Sequence, residues 1–185
     1  MKTKYPVLRP TGASKRPVRP YQQGQLDGLC GAYCLVNVVH YMFGPTCSDT
    51  ATKVFSELMQ YFENHSTALN RMFEGTARRE ILRALKDHLS YRYPMEFKSA
   101  SKTNRISITE LWSDMSEFMS EKDGIILLGT DEHWTLVSGV TDKTLVLFDS
   151  NNMKRLIKSR CTTSNRYRKS KTLIYPSSTY YIWTN

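Results

Sequence analysis

Gln25-Leu26-Asp27-Gly28-Leu29-Cys30-Gly31-Ala32-Tyr33-Cys34-Leu35-Val36-Asn37-Val38-Val39 is the stretch whose reading decides the fold. Residues 30–42 are apolar on nearly every side, and Gly44-Pro45 stops them. That pattern predicts a central helix, buried all round. Cys30 stands at its first position, just after a glycine. A helix N-terminus carries unpaired backbone N–H groups and a partial positive charge, and both favour a thiolate over a thiol. The thiolate is the nucleophilic form, so Cys30 is a candidate for covalent catalysis.

Outward from this helix, the first half of the chain reads as helical. Residues 48–63 carry the apolar stripe Val54, Phe55, Leu58, Met59 and Phe62, with Ser48 as a cap. Residues 76–89 place Ile81, Leu82, Leu85 and Leu89 inward. Ser107-Ile108-Thr109-Glu110 is a capping-box pattern that starts a helix running to about Glu121. The second half reads as strands: 124–129, 133–140, 145–149, 153–159 and 179–183, with a short early strand at 91–97. Thr141-Asp142-Lys143-Thr144 is a hairpin turn between the second and third of these. A helical first half and an antiparallel second half give an α+β fold, with the central helix packed on the sheet.

Two further residues make Cys30 more than a helix cysteine. His133 opens one predicted strand and Asp149 closes the next. A thiol site needs a thiolate, a histidine to pair with it, a residue that orients the histidine, and oxyanion donors. Cys30, His133 and Asp149 supply the first three. The Cys30 backbone N–H supplies one oxyanion donor, and the Gln25 side-chain amide supplies the second, with Gln22 and Gln23 as alternatives. Plainer readings stand beside these. Cys30 is also a buried helix cysteine by type, His133 a strand histidine, and Asp149 the cap of the Asp149-Ser150-Asn151-Asn152 turn. Trp134 either shields the His–Asp bond from water or is simply core. His40, His65 and His88 fall within or beside helices and read as core or surface residues.

The arrangement resembles the papain-like cysteine peptidases. Within them it is most similar to the bacterial bacteriocin-processing leader peptidases and their free-standing relatives. Those proteins carry a glutamine shortly before a Cys-Gly helix start, then a His-aromatic strand, then an Asp about one hairpin later. Here Gln25, Cys30-Gly31, His133-Trp134 and Asp149 match in that order over residues 22–150. Gln25 stands one place nearer the cysteine than the family's glutamine, whose position is Gly24, and Leu29 replaces the usual Asp before the cysteine. Asp27-Gly28 also resembles the Asp-Gly-x-Cys start of ovarian-tumour-type deubiquitinases. The resemblance implies a papain-like hydrolase of peptide or isopeptide bonds, acting through a thioester and needing no cofactor or metal. The same site serves deamidation or transglutaminase-type acyl transfer, and an inert papain-like domain serves as a binding module.

Composition sets the frame. The chain has 185 residues, is 40% hydrophobic and carries a net charge of +9. That length suits one domain over 21–185. Residues 1–20, with Pro6, Pro10, Pro17, Pro20 and six basic residues, read as an extended arm. No apolar run approaches the ~20 residues of a membrane span. The first residues lack a secretory signal, so the expected place is the cytoplasm of a producing cell, expected to be bacterial, with export by a signal-free route open. After Asp149 there is no acidic residue but a run of lysines and arginines from Lys154 to Lys171. Such a surface attracts an acidic partner; nucleic acid is the less favoured case, and a solvated basic rim is the plain alternative. Cys30, Cys34, Cys47 and Cys161 lack the paired spacing of a zinc site. Cys34 reads as a small core residue.

Overall fold

The computed structural model describes residues 19–24, 28–44, 48–65 and 76–184. Gln25, Cys47 and most of the basic arm, residues 1–18, lie outside them.

The apolar helix forms as α1 (Cys30–Met42) and is left through Gly44, whose φ of 88° suits only glycine comfortably. Next come α2 (Ser48–His65) and α3 (Arg78–Arg83). α3 continues as a π-helical stretch, Ala84–Leu89, and closes with Ser90–Arg92. The last helix, α4 (Ile108–Glu121), has both halves of the predicted capping box. Ser107 Oγ accepts from the Glu110 N–H at 3.2 Å, and Glu110 Oε2 accepts from the Ser107 N–H at 2.7 Å.

The strands are β1 (Glu96–Ser99), β2 (Gly124–Thr130), β3 (Trp134–Val140), β4 (Thr144–Leu147), β5 (Arg155–Ile157), β6 (Cys161–Thr162) and β7 (Thr172–Trp183). Six lie antiparallel in the order β1-β7-β2-β3-β4-β5, and β6 runs parallel to the start of β7. The fold is α+β.

Several sequence boundaries need correction. The early strand is 96–99, because residues 90–92 complete the preceding helix. β3 begins at Trp134 rather than His133, and β4 ends at Leu147, which leaves Asp149 in the following turn. β5 spans only 155–157, since Lys158–Arg160 turns away as a 3-10 helix. β7 starts at Thr172 instead of Thr179, and the parallel pairing of β6 was not anticipated.

The sheet is covered on both faces. In β2, Ile125 and Leu127 enter a core shared with α1, α2 and α3, while Ile126 and Leu128 enter a second core under α4. This is the period of two that sends neighbouring strand residues to opposite faces. β7 divides likewise, with Tyr180 and Ile182 on the α1 side and Tyr181 on the α4 side. α1 lies between the sheet and the other two helices, which is why it has no polar face: Ala32, Cys34, Leu35 and Val38 are fully buried. Among the described residues no helix is long and apolar enough to cross a membrane. Lys154, Arg155, Arg160, Arg166, Lys169 and Lys171 are exposed, while Arg168 pairs with Asp131 at 3.3 Å.

The capping box is a local device, so its loss has a local cost. Ser107→Ala is expected to lower the free energy of unfolding by about 1 kcal/mol without changing the fold, measurable by urea denaturation.

Candidate active site

Three elements converge at one end of the sheet. α1 brings Cys30, the turn between β2 and β3 brings His133, and the turn between β4 and β5 brings Asp149.

The helix is set against the strand by its own second cysteine. Cys34, one turn beyond Cys30, donates its thiol to the Trp134 carbonyl at 3.0 Å. Burial pushes the Cys34 thiol well up, and the nearby Cys30 and Asp149 charges add to this. Cys34 therefore stays a neutral donor. It joins α1 to the residue directly after His133. The Trp134 indole N–H donates to the Thr76 carbonyl at 2.8 Å, so this ring belongs to the core on the α1 side. Gly31 is pressed so close to Thr76 that a Cβ would stand 2.6 Å from the threonine Cβ. A larger residue beside Cys30 would push the helix start away.

His133 is fixed by a closed turn. The His133 N–H donates to Thr130 Oγ1 at 2.9 Å, and the Thr130 N–H donates to the His133 carbonyl at 2.9 Å. Asp131 ties the turn to β7 by accepting from the Leu173 N–H at 3.2 Å. The imidazole Nε2 lies 2.8 Å from Asp149 Oδ1, and the Cys30 side chain is close enough to act on the charge of this ring. With Nε2 taken by the carboxylate, Nδ1 is the nitrogen left for sulfur. Burial pulls the His133 pKa down, but the hydrogen bonds and charges of Asp149 and Cys30 outweigh it and lift it to about 9.

Asp149 has no exposed side-chain surface. Its Oδ2 accepts from the Asn151 N–H at 2.8 Å and the Met153 N–H at 3.0 Å, while Oδ1 faces His133. Asn152 completes this turn with a φ of 60°, a left-handed conformation that Asn tolerates. Asp149 thus caps its turn with one oxygen and is bonded to the histidine by the other. Burial pushes its carboxyl up, yet the hydrogen bonds and the His133 charge hold it below the usual carboxylate range.

Two of the three glutamines named from the sequence lie among the described residues. Gln25 lies outside the described residues. Gln22, an alternative oxyanion donor, uses its amide N–H groups on the Asp149 carbonyl at 3.1 Å and the Pro20 carbonyl at 3.0 Å. Gln23 accepts from Ser150 Oγ at 3.2 Å. Both side chains serve the Asp149–Ser150 turn. Asn37 is the residue that sequence reasoning passed over. The signal was present: one amide in a helix otherwise apolar all round, two turns from Cys30 and on its face. His40 is buried, with its Nε2 at 3.1 Å from the Arg19 carbonyl, and His88 is buried with its ring 5.6 Å from that of Tyr61 in α2.

The chain matches no protein-family model and no curated protein.

The pair makes stability depend on pH. A histidine raised from 6.5 to about 9 stabilises the fold fully below 6.5 and loses that contribution as pH rises through about 9. Asp149, held low, stabilises above its ordinary 3.8 and loses this as pH falls through its folded value. The difference in unfolding free energy between wild type and His133→Gln should therefore shrink from pH 6.5 to beyond pH 9. Denaturant titrations at both ends measure it, and a constant difference contradicts the ion pair.

Proposed function

We propose that this protein is a papain-like cysteine hydrolase that cleaves a peptide or isopeptide bond through Cys30, His133 and Asp149. The observation that carries the reading is one imidazole held between a helix-start thiol and a buried carboxylate. Asp149 accepts from Nε2, and Cys30 lies close enough to act on the charge of the same ring. The resemblance of the Cys30-Gly31 and His133-Trp134 segments to the papain-like peptidases supports it further.

The chemistry follows from those positions. Cys30 Sγ, as thiolate beside the imidazolium, attacks the substrate carbonyl carbon. The carbonyl oxygen takes up the negative charge and is met by the Cys30 backbone N–H. The N-cap residue Leu29 has no side chain that can accept this N–H. As the tetrahedral species collapses, the C–N bond breaks and His133 gives its proton to the leaving amine. The acyl group remains on sulfur as a thioester. A water molecule then attacks the thioester while His133 takes its proton, and the acid leaves as the C–S bond breaks. Asp149 keeps the ring oriented throughout and stabilises its protonated form. No metal or cofactor is required by any step.

The test is mass spectrometry of peptide mixtures treated with wild type and three variants. New chain termini mark hydrolysis; conversion of a side-chain amide to an acid marks deamidation through the same thioester. Cys30→Ala should abolish either product. His133→Ala should lower the rate by about 10²–10⁴-fold, and Asp149→Asn by a smaller factor. A Cys30→Ala protein with full activity rejects the reading. Absence of any product, together with salt-sensitive binding of an acidic protein or nucleic acid, favours the binding module.

A further inference from the structure

We propose that the segment Tyr21–Gln23, anchored on Asn37, is a positioning strap that holds Asp149 in register with the helix carrying Cys30. This inference rests on the cysteine hydrolase reading and adds to it the residues that align its carboxylate.

The first observation is Asn37. It is fully buried, and a buried amide is costly unless its polar atoms are bonded. Both ends are bonded to one residue: Oδ1 accepts from the Tyr21 N–H at 2.8 Å, and Nδ2 donates to the Tyr21 carbonyl at 3.0 Å. An apolar side chain would fill this place in the helix as well, but it could not fix a crossing strand of backbone. His40, one turn on, adds an N–H to the Arg19 carbonyl at 3.1 Å and packs its ring 4.7 Å from that of Tyr21. The strap is thereby fastened to α1.

The second observation is what the strap holds on its other side. Gln22 Nε2 donates to the Asp149 carbonyl at 3.1 Å, the Gln23 N–H donates to the Ser150 carbonyl at 3.0 Å, and Ser150 Oγ donates to Gln23 Oε1 at 3.2 Å. These bonds fall just beyond the last sheet bonds, Phe148 N–H to the Leu136 carbonyl at 2.9 Å and Leu147 N–H to the Lys154 carbonyl at 3.0 Å. β4 ends at Leu147 and β5 begins at Arg155, so Asp149 and Ser150 lie in the gap between paired segments. The sheet fixes the spacing of His133 and the β4 end. The strap fixes the spacing of Asp149 and α1. Together they hold thiol, imidazole and carboxylate in one geometry.

A loosened strap should lower the His133 pKa, because the hydrogen bond and charge of Asp149 help to raise it. The ionisable groups facing the ring are Asp149 from its turn and Cys30 from α1, with Cys34 behind them. On the histidine's own turn, Asp131 is engaged by Leu173 and Arg168, and Glu132 is exposed.

The experiment is the rate of Cys30 alkylation by iodoacetate, an anion that the protonated His133 attracts, against pH, in wild type, Gln22→Ala/Gln23→Ala, Ser150→Ala and Ser107→Ala. The wild-type rate should fall on the alkaline side near pH 9, where His133 loses its proton. The double variant should move that fall about one pH unit lower, slowing labelling at about pH 8.5 roughly threefold. Ser150→Ala, which removes a single bond, should move it the same way by less, and it carries the test should the double variant not fold. Ser107→Ala destabilises a remote helix and should leave the alkaline fall in place, which separates alignment from general loss of stability. Strap variants with the wild-type pH profile overturn this inference alone. A wild type with no alkaline fall overturns the hydrolase reading and this inference with it.

Discussion

A carboxylate with no exposed surface dictates much of this structure. A buried charge is tolerated only when it is paired and hydrogen-bonded. Asp149 meets that demand with the His133 imidazole on one oxygen and two backbone N–H groups of its own turn on the other. The left-handed Asn152 lets the turn close around it. The raised His133 pKa is the other side of the same bargain: a buried anion keeps a neighbouring imidazole protonated.

The second constraint is the packing of α1. A helix sandwiched between a sheet and two other helices has to be apolar on every side, and such a helix has little freedom to slide. Cys34 bonded to the Trp134 carbonyl and Gly31 pressed on Thr76 fix the height of its N-terminus. Cys30 is therefore delivered to His133 by core packing. The polar exception, Asn37, carries the only amide in this helix and uses it to bind backbone from elsewhere in the chain.

Local signals in the chain were legible and long-range ones were not. The apolar run after Gly28 and the stop at Gly44-Pro45 specify α1 to the residue, and the Ser107–Glu110 box specifies the start of α4. Cys30, His133 and Asp149 were each identifiable from a position at the end of an element, even though the strand ends themselves were misplaced by a residue or two. β7 reaches back beyond the predicted 179–183, through Pro176, to Thr172. The strand tolerates the proline where the β2–β7 register shifts between Leu128 and Thr130. β6 is a two-residue pairing with no pattern of its own. The role of Gln22 and Gln23 depends on contact with residues far along the chain, and no spacing rule reveals that.

The central claim is that Cys30 and His133 act as one reactive pair. It is tested most directly by brief alkylation of the native protein with iodoacetamide at neutral pH, followed by peptide mapping, in wild type and His133→Ala. The account predicts that Cys30, although buried like Cys34 and Cys161, is modified far faster than either in wild type, and that the advantage disappears in His133→Ala. Labelling of Cys30 that is slow in wild type, or unchanged when His133 is removed, would contradict it.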